Sequence, residues 1–179
     1  MGVAMTELTV RHVEPEDVRA IGEILQAPHV VRGTMRLPYQ STASIAARIA
    51  SEPGAHKLVA VIDGRVAGYG ELLTHPDLPR TRHSGELNMI ASHPDFRNRG
   101  VGSALMEAVL DLSDRWLGLT RVGLTAWADN GRALQLYEAY DFVEEGRLRD
   151  YVVIDGALCD AVVMARFRAP PVRVAGNPT

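Results

Sequence analysis

The sequence predicts a single mixed α/β domain, a twisted sheet of about seven strands flanked by about four helices. Three observations carry that prediction. Strand-like and helix-like periods alternate in the order β, α, α, β, β, β, α, β, α, β, β. Two Asp-Gly pairs, Asp63-Gly64 and Asp155-Gly156, sit between apolar runs as hairpin turns do. A glycine-rich stretch, Arg97 to Gly102, lies where a strand hands over to a helix.

Leu8 to Val13 alternates apolar and polar residues, a strand. Pro15, Glu16 and Asp17 then open a helix that runs to about Gln26, with Val18, Ile21 and Leu25 on its apolar face. Ala27 to Gln40 is irregular, broken by Pro28, Gly33 and Pro38. Ser41 caps a second helix that buries Ile45 and Ile49 and stops at Glu52-Pro53-Gly54. His56 to Ile62 and Arg65 to Thr74 form a hairpin. Gly68 and Gly70 mark a bulge or a close approach in its return strand.

His75 to Ser84 is a polar loop, and Glu86 to Ser92 a strand. Beyond the glycines, Val101, Leu105, Val109, Leu112 and Trp116 fall on one helical face. Arg121 to Ala126 is a short strand. Asn130 caps a helix from Arg132 to Tyr140, and strands from Phe142 to Ile154 and from Leu158 to Phe167 close the chain. The domain is expected over residues 6–168, with an extension at 1–5 and a mobile tail at 169–179. Either Met1 or Met5 serves as the start.

Composition narrows the function classes. The 179 residues are 46% hydrophobic and 23% charged, with net charge −3, which gives no general electrostatic case for nucleic acid or an anionic membrane. No apolar run is long enough to span a bilayer. The one cysteine, Cys159, excludes an intrachain disulfide and a cysteine-based metal cluster, and reads as a small core residue. His75 and His83 have no partner at metal spacing, so no metal is expected. The expected setting is reducing and cytoplasmic.

The glycine junction carries the chemistry. A helix start offers free N–H groups and the positive end of the macrodipole, and glycine lets an anion approach the backbone. Arg97 and Arg99 add positive charge, so the stretch reads as a diphosphate cradle. It is not a P-loop, because no lysine follows the glycines. It is not a dinucleotide-binding turn, because Leu105 replaces the third glycine and no acidic residue stands near Val122.

Arg97-Asn98-Arg99-Gly100-Val101-Gly102 resembles the acetyl-CoA pyrophosphate loop of the GCN5-related N-acetyltransferase (GNAT) superfamily. Two more stretches resemble that superfamily: Ser92-His93-Pro94-Asp95-Phe96-Arg97, with Ser92 where valine is usual, and Asn130 to Phe142, with Asp141 in place of the usual glycine. Asp tolerates a left-handed backbone better than most residues, so the exchange does not break the fold. Within the superfamily, Gly33 to Pro38, Leu58 to Gly64 and Asp155 to Arg166 resemble the bacterial L-amino-acid N-acetyltransferases, which acetylate the α-amino group of free amino acids.

The resemblance implies acetyl transfer from acetyl-CoA to a primary amine, by direct attack in a ternary complex. It implies that Ile90, Ala91 and Ser92 hold the pantetheine arm like an added strand. Arg97, Asn98, Arg99, Gly100, Val101, Gly102 and Ser103 would hold the diphosphate, and Asn130 the cofactor or a water network. Tyr137 stands at the position of the family's general acid, and Glu86 at that of a carboxylate base acting directly or through water. A backbone N–H near Ile90 to Ser92 would stabilise the carbonyl oxygen if the strand splays or bulges there. For an amino-acid carboxylate, Arg32, Arg36 or Arg82 could supply a guanidinium, with Arg36 and Tyr39 the candidates retained.

Two other readings stay open. The acceptor is another amine (an amino-acid analogue, a polyamine or a protein N-terminus), or the chain is a non-catalytic acyl-CoA-binding module. The basic character of the Arg32–Tyr39 loop argues against a polyamine, and a proton donor at Tyr137 against a mere binder. Superfamily members are often dimers, which extends the expectation of a homodimer to this chain.

Overall fold

A computed structural model describes residues 7–169. The expected extension at 1–5, and the expected tail at 169–179 beyond its first residue, lie outside the described residues. Among the described residues, seven strands form one sheet in the order β1-β2-β3-β4-β5-β7-β6. They are β1 (Leu8–His12), β2 (Ala55–Ile62), β3 (Arg65–Thr74), β4 (Ser84–Ser92), β5 (Arg121–Trp127), β6 (Val143–Ile154) and β7 (Ala157–Phe167). Among the described residues, five α-helices accompany them: α1 (Val18–Leu25), α2 (Pro28–Arg32), α3 (Thr42–Ile49), α4 (Val101–Asp111) and α5 (Gly131–Ala139). Among the described residues, no helix is long and apolar enough to cross a membrane.

The two Asp-Gly pairs form the predicted hairpins, with Asp63 and Gly64 at φ 50° and 75°, and Asp155 and Gly156 at φ 51° and 83°. Positive φ at both central residues gives a turn whose twist matches the flanking strands. α4 and α5 cover one face of the sheet. Met106, Val109 and Leu110 of α4 bury there against Leu72, Leu87 and Val122, with Leu134 and Leu136 of α5 packed alongside. α1 and α3 cover the other face, where Ile21, Ile24, Leu25 and Ile45 meet Val59, Tyr69, Met89 and Ala91. Lys57 is buried, and its Nζ donates to the carbonyls of Arg48 and Ala50 at 2.6 and 2.7 Å and to Glu52 at 3.1 Å. A cation on the last carbonyls of α3 satisfies them and complements the helix dipole.

Two features of the sheet position the site. β4 and β5 are the parallel pair, and their ladder holds for three rungs, Ser84↔Arg121 to Glu86↔Gly123. Beyond Glu86 the strands part, although β4 runs on to Ser92 and β5 to Trp127. The parting opens the middle of the sheet. The second feature is a bulge in β4. Its register against β3 passes from Glu71↔Met89 to Leu72↔Leu87, which leaves Asn88 as the extra residue. Leu87 therefore packs on the α4 face and Met89 on the α1 face, although two residues apart they would ordinarily share a face.

Three local expectations change. The segment 27–40 is not wholly irregular, since Pro28 starts the short helix α2. The helix after the glycines does not keep its period to Trp116. An i→i+5 bond, Leu117 N to Leu112 O at 3.0 Å, winds Leu112–Trp116 as a π-turn, and the extra residue turns Trp116 out to 75% exposure. Cys159 is half-buried beside the small cluster of Trp127, Ile154 and Ala161.

Candidate active site

Two cavities lie at the parting of β4 and β5, and Gly33 and Thr34 line both. The first has a volume of about 390 Å³ and runs from the end of β4 to the start of α4 and along α5. Ile90, Ala91, Ser92, Arg97, Asn98, Gly100, Val101, Gly102, Ser103, Asn130 and Tyr137 line it. The structure thus brings one long stretch of candidate residues to the same groove as Asn130, the N-cap of α5, and Tyr137 within α5. Arg99 does not line the groove; its guanidinium stacks 5.3 Å from the centre of the Phe96 ring, which Arg65 also covers at 4.9 Å.

The α4 end of the groove suits an anion. Gly100 is the N-cap, in the left-handed region at φ 78°, and no side chain caps the helix. Ala104 N is the first to bond back, to Gly100 O at 2.9 Å, so the N–H groups of Val101 to Ser103 have no intrahelical partner. Asn98 is also left-handed, at φ 61°. The loop turns twice within three residues, and the residues that carry these unpaired donors line the groove beside Arg97.

At the end of β4, the Ser92 carbonyl accepts from His29 Nε2 at 3.0 Å, and both residues line the groove. Burial pushes the His29 imidazole pKa below its ordinary value, and because a carbonyl can only accept, the proton in this bond is the ring's, on Nε2. At the far wall, Asn130 Oδ1 caps α5 by accepting from Ala133 N at 3.3 Å. Tyr137 sits two turns on, its ring 6.0 Å from that of Phe142. Burial pushes the Tyr137 hydroxyl up to about 12, so it holds its proton throughout the neutral range. Asp141, at φ 65°, ends the helix in the left-handed conformation that glycine would otherwise supply.

The second cavity, about 540 Å³, opens on the α1–α3 side. Glu86, Asn88 and Met89 of β4, Thr125 and Trp127 of β5, Tyr151 of β6, Arg48 of α3, and Arg36 and Gln40 of the 33–40 loop line it. Glu86 is exposed in this cavity at the last rung before the strands part. Arg36 Nη1 donates to Gln40 Oε1 at 2.9 Å, and among the described residues no carboxylate lies within ion-pair distance of it. Burial, and then the nearby Arg48, push the Arg36 guanidinium below its ordinary pKa. Arg32 and Tyr39 lie outside this cavity. Arg32 pairs with Asp129 at 2.7 Å, and the Tyr39 side chain is 96% exposed.

Sequence reading missed His29, Arg132, Arg48 and the bulge residue Asn88. Arg132 carried one usable signal, its place in the first turn after the Asn130 cap, and it lines the groove. Cys159 lines neither cavity. Among the described residues, no group of three His, Cys, Asp or Glu side chains could hold a metal ion.

The sequence model of the acetyltransferase (GNAT) family matches residues 18–142. The chain is 36% identical to the L-amino acid N-acetyltransferase AaaT of Escherichia coli K12 over 164 residues, 92% of this chain and 100% of that protein. Its fold is similar to a GNAT-family acetyltransferase from Streptococcus pneumoniae, with a TM-score of 0.77 at 25% identity, covering 90% of this chain and 100% of that one. It is similar to the spermidine N-acetyltransferase of Vibrio cholerae in complex with CoA and spermine, with a TM-score of 0.78 at 25% identity, covering 89% and 95%.

Proposed function

The chain belongs to the acetyltransferase (GNAT) family, and from that membership we propose that it transfers an acetyl group from acetyl-CoA to the α-amino group of a free L-amino acid. One observation carries the choice of acceptor. The second cavity presents a guanidinium, Arg36, without a carboxylate partner, and a carboxylate, Glu86, at the edge of the opening. That pair of charges complements the two ends of an amino acid. A polyamine would place positive charge against Arg36.

In this reading the groove holds acetyl-CoA. The uncapped start of α4 and Arg97 take the diphosphate, and the edge of β4 from Ile90 to Ser92 takes the pantetheine amides. The thioester then lies at the parting of the strands. The acceptor amine arrives largely protonated, because model α-amino groups have pKa values of roughly 7.7–8.0. Glu86, directly or through water, accepts that proton. The neutral amine attacks the thioester carbonyl carbon, and a backbone N–H of the Ile90–Ser92 stretch stabilises the oxygen as charge develops. The C–S bond breaks, Tyr137 donates its proton to the departing thiolate, and the extra proton on the newly acylated nitrogen passes, directly or through water, back to the Tyr137 oxygen. The products are the N-acetyl amino acid and CoA. The route is direct, since no thiol lines either cavity.

The test is thiol release from acetyl-CoA against free L-amino acids, their carboxamides, spermidine and an alanine-starting peptide, with product masses. The proposal expects turnover on free L-amino acids and acetylation at the α-amine. Turnover confined to spermidine or the peptide overturns the acceptor assignment. Binding of acetyl-CoA with no turnover on any amine favours a cofactor-binding module.

The cradle has its own prediction. Gly100→Ala has open space for its methyl, with no atom within 4 Å, but keeps φ near 78°. A left-handed alanine costs about 1–2 kcal/mol. The variant is expected to lose a few degrees in Tm and to bind CoA more weakly, as calorimetry would show; unchanged CoA affinity contradicts the assignment of this loop.

A further inference from the structure

Next to Arg36, on the wall of the second cavity, lies a charge cluster built on the buried Glu71, a residue that the transfer reaction does not use. Glu71, 2% exposed, sits on β3 facing α3. Its Oε2 accepts from Arg48 Nη2 at 2.6 Å and from Asn88 Nδ2, and its Oε1 accepts from the Tyr69 hydroxyl at 3.3 Å. Arg36 lies near Arg48 on the same cavity, with Gln40 as its hydrogen-bond partner. Arg36 Nε and Arg48 Nε are both buried without a hydrogen-bond partner. Buried donors are ordinarily satisfied, so two of them on adjacent guanidiniums mark a place where anionic charge is short.

The charge balance is unambiguous. Arg36 and Arg48 carry two positive charges and Glu71 one negative, which leaves a single unbalanced positive charge on this wall. The other ionised side chain lining the cavity is Glu86, on β4, at the amine end of the reading above. Behind the cluster, Lys57 is matched by Glu52 and adds no net charge. Fields at a partly buried site are weakly screened, so one unit of charge here is felt by whatever fills the cavity.

We infer that Arg36, Arg48 and Glu71 together read the charge of the acceptor, taking one carboxylate and refusing a second, so that Glu71 is a specificity residue acting through Arg48. The inference rests on the amino-acid reading of this cavity and adds what that reading leaves open: the class of side chain. Amino acids with an uncharged side chain fit the single positive charge. Aspartate and glutamate bring a second carboxylate that has no counter-charge and meets Glu86. A carboxamide of the same amino acid leaves the positive charge unmatched. Glu71 touches no substrate; it sets how much of the Arg48 charge remains available.

The experiment measures kcat and KM separately for L-methionine, L-methioninamide and L-glutamate. Two variants change the charge balance in opposite directions. Glu71→Gln keeps the shape and one acceptor oxygen while leaving two unbalanced positive charges. It is expected to raise kcat/KM for glutamate relative to methionine at least tenfold, through KM. Arg36→Met leaves the Arg48–Glu71 pair intact and removes the excess. It is expected to lower the preference for methionine over methioninamide at least tenfold, again through KM.

A glutamate-to-methionine ratio within threefold of wild type in a folded Glu71→Gln enzyme overturns the inference. If that variant does not fold, Arg36→Met decides, and an unchanged acid-over-amide preference overturns it equally. The underlying acceptor reading fails differently: the wild-type enzyme then acetylates no free amino acid at all.

Discussion

Tyr137→Phe is expected to lower kcat about 100-fold or more, the range over which a positioned proton donor acts, while acetyl-CoA binds within a few-fold of wild type. The substitution removes one oxygen and keeps the ring that packs 6.0 Å from Phe142, so the groove keeps its shape. The departing thiolate then takes its proton from water. Steady-state kinetics with a separate CoA titration checks the expectation; a parallel loss of binding, or no loss of kcat, contradicts it. The pH profile is a second reading. The Tyr137 hydroxyl is raised from 10 to about 12 by burial, so its protonated, donating form persists at least two pH units above neutral. Activity is therefore expected to rise with pH as the acceptor amine loses its proton, with no fall from Tyr137 ionisation below about pH 10. A basic limb near pH 8 that disappears in Tyr137→Phe would show that the hydroxyl titrates far lower than its burial dictates.

Gly68→Ala is expected to destabilise the whole domain. The methyl would overlap Val101 Cγ1 and lie 2.9 Å from the Ala91 carbonyl oxygen and 3.0 Å from Leu105 Cδ1. Backbone on one side and the first turn of α4 on the other leave little room to yield. Overpacking of this kind costs roughly 1–3 kcal/mol, which for a domain of this size lowers Tm by about 2–12 °C. The larger consequence is at the site. α4 reaches its position over β3 because Gly68 has no side chain, and lifting its first turn moves the backbone donors of Val101 to Ser103. CoA affinity is expected to fall together with Tm. A stable variant with intact CoA binding would mean that α4 can shift without disturbing the cradle.

Much of the fold was legible because local chemistry determines it. Two Asp-Gly pairs specified their turns, and Asp141 took the left-handed position that the family fills with glycine. The glycine junction was legible for the same reason, since free N–H groups at a helix start are a local property. What escaped the sequence depends on contacts distant in the chain. Asn88 is a polar residue within the otherwise apolar run from Leu87 to Ala91, and nothing local marks it as the extra residue of a bulge until the register against β3 is seen. Arg48 falls on an amphipathic helix where a solvated arginine is ordinary, and its partner Glu71 is 23 residues away. Trp116 kept the helical period on paper, but a π-turn carried it to the surface. Tyr39 and Arg36 looked equivalent in an irregular loop; only the packing of that loop turns Arg36 inward and Tyr39 out.

The account turns on which cavity takes which substrate. A crystal structure of the protein with CoA and L-methionine tests that most directly. The account predicts the CoA diphosphate at the start of α4, the thiol at the parting of β4 and β5 near Tyr137, and the methionine carboxylate on Arg36 with its amine toward Glu86. CoA in the groove with methionine outside the second cavity, or with its carboxylate turned away from Arg36, would contradict it.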